Sequence, residues 1–271
     1  MRSQHGHQRL PQREGMIELA AGPLRATIDP EHGFQCASLR HDDWDVLAEP
    51  GMQVSFPWVG LGGARPTRVA LHGAVVAIGG GQWPPTHAAW AVQDSGRDAH
   101  QAWVTAQMRT VASDDAYPFD TLLIGTWRVD SEGLHFDVNA SNRGKRHAPF
   151  GFGVRAALGA LGDAVEVIVP AEDRWQCGAD HRPSASIAVS VADGTDLRRP
   201  VRLSRPLNAR FTRRQFANLQ TQLAVLDPRS GREVWLNTSA DFREAVSSHR
   251  RGVRGRPRFR PRLAGHGRVR R

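Results

Sequence analysis

One stretch, residues 117–159, constrains the fold of this chain more than any other. Two segments in it, 121–129 and 134–142, alternate apolar and polar residues with the period of a half-buried β-strand. Between them lie Asp130, Ser131, Glu132 and Gly133, a composition that is typical of a four-residue hairpin loop. The stretch therefore predicts an antiparallel hairpin with one buried face.

The rest of the chain repeats this pattern in shorter segments. About a dozen apolar or alternating runs are separated by turns rich in glycine and proline, and no stretch shows sustained 3.6-residue periodicity. The pattern predicts an all-β protein, either an antiparallel sandwich or a barrel. Of the eight tryptophans we expect most to lie in the core and one or two to offer a flat face to a sugar ring.

Charge divides the chain into regions. The formal net charge is +9, but ten arginines and no acidic residue lie between positions 250 and 271, so the remainder is nearly neutral. We predict a disordered extension at 1–15, one β-sandwich domain at 16–246 and an arginine-rich disordered tail at 247–271. The tail has three interpretations: a solvated appendage, an arm that contacts nucleic acid through phosphates, or the product of a reading-frame change near Ser247.

The sequence also predicts where in the cell the protein is located. No apolar run reaches the length of a membrane-spanning helix, and the first residues lack the hydrophobic region of a secretory signal. The two cysteines, Cys36 and Cys177, form neither a disulfide framework nor a zinc site, and we expect idle thiols in a reducing compartment. These features predict a cytoplasmic protein with no membrane partner.

Several short motifs occur in the order found in one known family. They are Phe56-Pro57-Trp58, Leu71-His72-Gly73, Tyr117-Pro118-Phe119, Gly133-Leu134 with Asn142, and Pro149-Phe150-Gly151-Phe152-Gly153. In this order the chain resembles the aldose 1-epimerase (galactose mutarotase) family from about residue 16 to 246. The resemblance implies a large antiparallel β-sandwich, the galactose mutarotase-like supersandwich.

The resemblance also implies a chemistry. The family interconverts the α and β anomers of an aldose: a base takes the anomeric hydroxyl proton, an acid protonates the ring oxygen, and the sugar recloses after rotation about C1–C2. No metal and no cofactor is implied. In the family the acid is a histidine that follows the P-F-G-x-G motif, and the base is a glutamate near the C-terminus.

Transferred to this sequence, the resemblance implies a set of site residues. His72 matches a sugar-binding histidine, and Arg155 stands where the family has its acid; these two are the predicted catalytic positions. A guanidinium stays protonated near neutral pH and is a poor proton shuttle. Glu233 and Glu244 are the carboxylates nearest to the expected glutamate, which has no counterpart in the arginine-rich tail. The predicted substrate-binding residues are Arg65, Arg68, Trp175 and Asn208.

Three hypotheses about function follow. The first is an aldose 1-epimerase-like enzyme that acts on a hexose. The second is a protein that binds a sugar or a sugar phosphate on the same sandwich without turnover, which Arg155 favours. The third is an inactive homologue shortened by a frame change. In the first two the partner is a small sugar, nucleic acid is disfavoured as a partner, and the oligomeric state is left open.

Overall fold

The computed structural model describes residues 12–13, 15–56, 67–71, 74–78, 88–111, 117–148, 152–159, 161, 165–177, 183–202, 208–214, 220–239, 245–250, 258–263 and 266–270. All regular structure in these ranges is strand, and no helix occurs among them, which confirms the all-β prediction. Consequently no described helix is long and apolar enough to cross a membrane.

The strands, in chain order, are β1 Gln12–Arg13, β2 Met16–Ala21, β3 Leu24–Asp29, β4 Gln35–His41, β5 Trp44–Asp45, β6 Leu47–Ser55, β7 Thr67–Leu71, β8 Ala74–Ile78, β9 Ala91–Arg97, β10 Gln101–Thr110, β11 Thr121–Asp130, β12 Gly133–Asn142, β13 Gly153–Leu158, β14 Glu166–Ile168, β15 Ala171–Cys177, β16 Pro183–Ala188, β17 Val201–Arg202, β18 Asn208–Arg214, β19 Gln220–Asp227, β20 Arg232–Ser239, β21 Ala245–Arg250, β22 Arg258–Leu263 and β23 His266–Arg270.

Backbone contacts divide the chain into two compact units. Unit 1 comprises residues 1–42 and 53–152, and unit 2 comprises residues 43–52 and 153–271. In unit 1, β1, β2, β3 and β4 pair in sequence order, and β9, β10, β11 and β12 form a second antiparallel run. Strands β2 and β3 pack against β10 and β11, so the apolar faces of the two runs enclose one core.

Aromatic side chains fill the core of unit 1. Phe34 is fully buried, stacks on Trp90 with 5.2 Å between ring centroids, and meets Trp127 edge-on at 6.5 Å. Phe136 lies 4.2 Å from Trp127, centroid to centroid. Gly125 makes room for these rings, because a Cβ at that position would lie 3.1 Å from Phe34 and 3.3 Å from Phe136. The alternation of the predicted hairpin therefore buries an aromatic cluster, as its pattern indicated.

The hairpin itself departs from the prediction in its turn. Asp130 pairs with Gly133, so the connection has two residues, Ser131 and Glu132, and not four. The Asp130 carboxylate accepts hydrogen bonds from the backbone N–H groups of Glu132 and Gly133, at 2.8 and 3.2 Å. Gly133 has a φ of 145°, which glycine adopts without strain. The side chain of Asp130 thus closes the turn that composition alone assigned to a longer loop.

Unit 2 contains two further antiparallel runs. One has the strand order β13, β22, β21, β18, β15, β16, and the other has the order β17, β14, β19, β20, β23. Buried residues of unit 2 include Leu158, Leu197 and Phe211, which are exposed by 1% or less. Three of its strands, β21, β22 and β23, fall wholly or largely within residues 247–271, and β1 falls within residues 1–15. The predicted division into extension, domain and tail stays a prediction.

Cys36 behaves as the sequence indicated. The thiol is buried in unit 1, unpaired, and donates to the backbone carbonyl of Ser38 at 3.1 Å. Burial raises the pKa of the Cys36 thiol far above its ordinary value, although the hydrogen bond to Ser38 opposes this. The thiol therefore stays protonated and chemically inert. The side chain of Cys177 lies outside the described residues.

Candidate functional site

The candidate site lies on one face of the six-stranded run in unit 2. In antiparallel sheets, directly paired residues share a face, and neighbours along a strand alternate between faces. Val154 pairs with Leu263, Leu263 lies opposite Ala245 by continuation of the β21–β22 register, and Ala245 pairs with Phe211. Because Val154 and Phe211 are buried, this apolar row marks the core face of the sheet.

The next row marks the other face. Arg155 pairs with Arg262, Arg262 pairs with Val246, and Val246 pairs with Arg210. Arg174 pairs with Phe211, so the following residue of β15, Trp175, lies opposite Arg210. The row is polar apart from Val246 and Trp175, and we call the face that carries it the polar face.

The polar face brings two predicted substrate-binding residues together. Asn208 lies two positions from Arg210 on β18, which makes it the diagonal neighbour of Trp175 on the adjacent strand. Such neighbours lie about 7–8 Å apart, within reach of an aromatic side chain. Trp175 is partly exposed. A partly exposed aromatic ring is a suitable surface for the C–H face of a sugar.

Arg155 also lies on the polar face, but it is distant from Trp175. It lies partly buried on β13, with β22, β21 and β18 between it and β15. Four strand spacings of about 4.8 Å place it roughly 19 Å from Trp175. The structure therefore puts Arg155 and Trp175 on one face without bringing them into contact.

Sequence reasoning missed a carboxylate at the Trp175 end. Asp173 lies two residues before Trp175, on the same face, and is partly buried. The Ser186 hydroxyl, on the residue paired with Trp175, donates to Asp173 Oδ2 at 2.9 Å. Among the described strand positions, no other residue on the polar face carries a carboxylate. Asp173 lies in a run of three charged residues, 172–174, that shows no alternation. Its face can therefore be assigned only when the strand and its pairing are known.

The neighbouring arginine on β15 is held on the opposite face. Arg174 donates to Asp193 Oδ2 at 2.9 Å. A hydrogen bond from the Thr195 hydroxyl lowers the pKa of the Asp193 carboxyl, and the hydrogen bond from Arg174 lowers it further by a smaller amount. Burial raises this pKa but does not outweigh the two hydrogen bonds. The carboxylate therefore stays ionised near neutral pH and holds the guanidinium away from the polar face.

Other predicted site residues are not placed by the structure. His72 and Arg65 lie outside the described residues. Arg68 lies on β7, where it pairs with Ala77, but its side chain is outside the described part of the chain. The roles assigned to these residues and to Arg155 stay predictions.

The expected C-terminal glutamate has no counterpart in the described strands β21, β22 and β23, which contain no carboxylate. Glu233 lies on β20, in the other run of unit 2, and accepts a hydrogen bond from Trp235 Nε1 at 2.7 Å. Glu244 lies outside the described residues. Among the described residues there is no group of three or more His, Cys, Asp or Glu side chains that could hold a metal ion.

Comparison with known proteins identifies the fold. No family model and no curated protein matches the sequence. A galactose mutarotase-like protein from Clostridium acetobutylicum matches in structure with a TM-score of 0.77 and 16% identity, over 91% of this chain and 84% of that chain. A galactose mutarotase-like protein from Lactobacillus casei matches with a TM-score of 0.72 and 16% identity, over 92% and 87%. Galactose 1-epimerase from Lactobacillus acidophilus matches with a TM-score of 0.65 and 13% identity, over 95% and 90%.

These structural neighbours are galactose mutarotase-like and aldose 1-epimerase proteins, as the order of the sequence motifs predicted. The chain therefore has the galactose mutarotase-like sandwich fold. At identities of 12–16% across the structural neighbours, the likeness establishes the fold and not the activity.

Proposed function

We propose that the protein is aldose 1-epimerase-like: it binds the ring of a hexose on the polar face of unit 2 and interconverts its α and β anomers. The observation that carries the proposal is the cluster of Trp175, Asp173 and Ser186 beside the register position of Asn208. An aromatic face, a carboxylate and a hydroxyl within one patch suit a molecule that is apolar on its ring faces and rich in hydroxyls at its edge.

Anomer interconversion needs one group that accepts a proton and one that donates it. Asp173 is a carboxylate on this face, and an ionised carboxylate can take the proton of the anomeric hydroxyl. The Ser186 hydroxyl, at 2.9 Å from Oδ2, fixes the orientation of that carboxylate. We assign the role of donor to His72; the resemblance gives His72 as a sugar-binding histidine and places Arg155 where the family has its acid. No metal and no cofactor takes part in the proposed reaction.

The test is the rate at which freshly dissolved α-glucose and α-galactose approach their anomeric equilibrium, followed by polarimetry. We expect a first-order rate above that of buffer alone, proportional to protein concentration. Asp173→Asn, which keeps the shape of the side chain and removes its basicity, should bring the rate close to background. Glu132→Gln is the matched control, because Glu132 is exposed in the β11–β12 turn of unit 1. A rate equal to buffer at every protein concentration would remove the proposal.

A second candidate function is sugar binding without turnover. Arg155 favours it, since this residue stands where the family has its acid and a guanidinium does not release its proton near neutral pH. In that case calorimetry should detect sugar binding that Trp175→Ala weakens, while the anomerisation rate stays at background. Binding accompanied by catalysis would exclude this second candidate.

A further inference from the structure

We propose that unit 1 carries a non-catalytic carbohydrate-binding surface, on which a neutral pyranose ring of a glycan chain stacks on Trp103. The surface is the side of β9, β10, β11 and β12 that faces away from the aromatic core, and we call it the solvent face. It belongs to unit 1, whereas the hexose patch of the proposed function lies on the polar face of unit 2. The proposal therefore adds a second binding site, and it does not depend on turnover.

The indole of Trp103 lies flat on the neighbouring strand. Trp103 pairs with Gly96 of β9, and a Cβ on Gly96 would lie 2.8 Å from Cζ2 of the indole and 3.2 and 3.3 Å from the flanking Cη2 and Cε2. Similar distances to three consecutive ring atoms define a point above the ring plane, because an edge-on approach leaves the flanking carbons much farther away than the central one. Gly96 therefore makes room for one face of the indole.

A hydrogen bond fixes the rotation of the same ring. Trp103 Nε1 donates to Asp94 Oδ2 at 2.9 Å, and Asp94 lies two residues before Gly96 on β9. Trp103 is partly exposed, and since one face of the ring rests on β9, its exposed area is on the other face. An aromatic face that is already held in place loses little side-chain entropy when a ligand stacks on it.

Groups that can bond sugar hydroxyls border this ring. Gln101 and Thr105 lie two residues to either side of Trp103 on β10, and residues two apart share one face of a strand. The Thr105 hydroxyl lies 2.9 Å from that of Thr126. Asp94, which pairs with Thr105, is exposed and uses one carboxylate oxygen for the indole. An aromatic face bordered by amide, hydroxyl and carboxylate groups suits a pyranose, which is apolar on its ring faces and carries hydroxyls around its edge.

The charges of the solvent face favour a neutral ligand. Both arginines on this face of β10, β11 and β12 are paired with an aspartate, Arg109 with Asp120 at 2.6 Å and Arg128 with Asp130. Asp94 places a carboxylate beside the platform itself. That carboxylate repels a phosphate chain and repels equally a glycan with an acid on every sugar. A neutral sugar meets no such repulsion and can donate its hydroxyls to the carboxylate.

The contact between Trp103 and Gly96 also has a structural effect. An aromatic ring over a glycine supports an edge strand, and β9 is the terminal strand of its sheet in the part of the chain that the structure describes. A role in stability alone predicts that variants at these positions unfold more easily and that the parent protein binds no sugar. Measurement of sugar binding therefore separates the two roles.

The test measures the binding of cellohexaose to the full chain by calorimetry. The Trp175→Ala protein is the reference, so that the hexose patch of unit 2 does not contribute to the signal. Hexagalacturonate is the anionic glycan of equal length, and a single-stranded DNA is the nucleic-acid comparison. We expect the reference protein to bind cellohexaose, and we expect no binding of either anion that depends on Trp103.

Variants added to the reference locate the ligand. Trp103→Ala should lower the affinity for cellohexaose at least about tenfold. Gly96→Ala keeps the indole and needs no left-handed backbone, but its methyl group displaces the ring, so the affinity should fall several-fold. Asp94→Ala releases the ring and should also lower the affinity several-fold. Asp94→Asn keeps an acceptor for the indole N–H and should stay within about twofold of the reference.

Trp235→Ala is the matched control for the loss of a tryptophan. Trp235 is a partly exposed strand residue of unit 2, and its indole N–H is bonded to Glu233 at 2.7 Å. We expect this variant to bind cellohexaose as the reference does. Thermal unfolding of each variant checks that its fold is retained.

Three outcomes would overturn the proposal: no binding of cellohexaose by the reference, equal affinity in the reference and the Trp103→Ala variant, or binding of an anion that depends on Trp103. In the last case the DNA would identify a nucleic-acid surface and hexagalacturonate an acidic-glycan surface. The proposed function fails separately. If glucose and galactose equilibrate at the background rate while Trp103-dependent binding of cellohexaose persists, turnover fails and this surface stands. If they equilibrate faster than background and the reference does not bind cellohexaose, this proposal alone fails.

Discussion

The indole N–H of Trp127 donates a hydrogen bond of 2.8 Å to the backbone carbonyl of Phe34, across 93 residues of sequence. Phe34 has a φ of 52°, a left-handed conformation that costs a bulky residue about 1–3 kcal/mol. Both side chains are fully buried. The hydrogen bond thus fixes a strained backbone position at the centre of the aromatic cluster of unit 1.

Replacing Trp127 with Phe should therefore be costly. The change leaves the Phe34 carbonyl without its donor in a site that water does not reach, and it opens a small cavity. We expect the free energy of unfolding to fall by at least about 2 kcal/mol, measured by chemical denaturation. The control is Trp103→Phe, which removes a hydrogen bond from a partly exposed indole to Asp94 at 2.9 Å. An equal loss in the two variants would contradict this account, because water can replace the lost partner only at position 103.

Gly159 should tolerate no side chain. Its N–H donates to the carbonyl of Val46 at 2.8 Å, and a Cβ on Gly159 would lie 2.0 Å from the carbonyl oxygen of Asp45. The three nearest atoms are all backbone atoms of Asp45 and Val46, so no flexible side chain can move aside. Gly159→Ala should lower the free energy of unfolding by more than about 3 kcal/mol.

The matched control for that change is Gly144→Ala. The nearest atom to a Cβ at position 144 is Asn142 Oδ1 at 3.5 Å, an ordinary contact. We expect this variant to unfold within about 0.5 kcal/mol of the parent protein. Comparable stability of the two alanine variants would show that the chain around Asp45 moves without cost.

Acid should weaken the turn of the β11–β12 hairpin. Burial raises the pKa of the Asp130 carboxyl. Hydrogen bonds from His135 and from the Glu132 N–H lower it, as do the charges of His135 and Arg128. The lowering effects are larger together, so the pKa lies below the ordinary value of 3.8. A lowered folded-state pKa means that the stabilisation is present above about pH 4. It is lost as the pH falls through the folded-state value.

Asp130→Asn tests this dependence. The difference in unfolding free energy between the parent protein and the variant should be constant from pH 7 to 5 and should shrink as the pH falls below 4. Asp43→Asn is a suitable control, because Asp43 is an exposed turn residue. A difference for Asp130→Asn that stays constant down to pH 3 would show that the turn needs only hydrogen-bond acceptance and not the charge.

Arg155→His should leave the anomerisation rate unchanged if the proposed site is correct. The hexose is proposed to bind at Trp175 and Asp173, four strand spacings or roughly 19 Å from position 155, so an imidazole at 155 does not reach the reacting oxygen. We expect the rate on glucose, followed by polarimetry, to equal that of the parent protein between about pH 6 and 8. Arg155→Lys, which keeps the charge, should behave in the same way. A histidine variant that is at least about tenfold faster near neutral pH would mean that the sugar binds near position 155, and it would contradict the site at Trp175.

How far the sequence predicts the fold depends on the length of the alternating pattern. The strands β10, β11 and β12 are each ten residues long, and alternation of apolar and polar residues over that length is typical of a β-strand and of little else. The apolar run around β14 predicts a longer strand than the three residues Glu166–Ile168 that form it. Short strands such as β14 depend on partners far away in sequence, and a single segment does not reveal those partners.

The site is harder to predict for the same reason. Trp175 and Asn208 belong to one patch only because β15 pairs with β18, and nothing local to either residue specifies that pairing. Asp173 becomes a candidate only when its shared face with Trp175 is known. The segment Arg258–Leu263 shows the converse: its arginines alternate with Phe259, Pro261 and Leu263, a period of two that the surrounding basic sequence obscures.

The position of β22 between β13 and β21 has a consequence for synthesis of the chain. β13 leaves the ribosome about 100 residues before the strand that pairs with Arg155 and Leu158. At usual translation rates of about 5–20 residues per second, that edge waits roughly 5–20 s for its neighbour. An unpaired strand edge is a template for pairing with another chain. Newborn copies are therefore most exposed to misassembly during this interval, when unit 1 has been made in full and unit 2 has not.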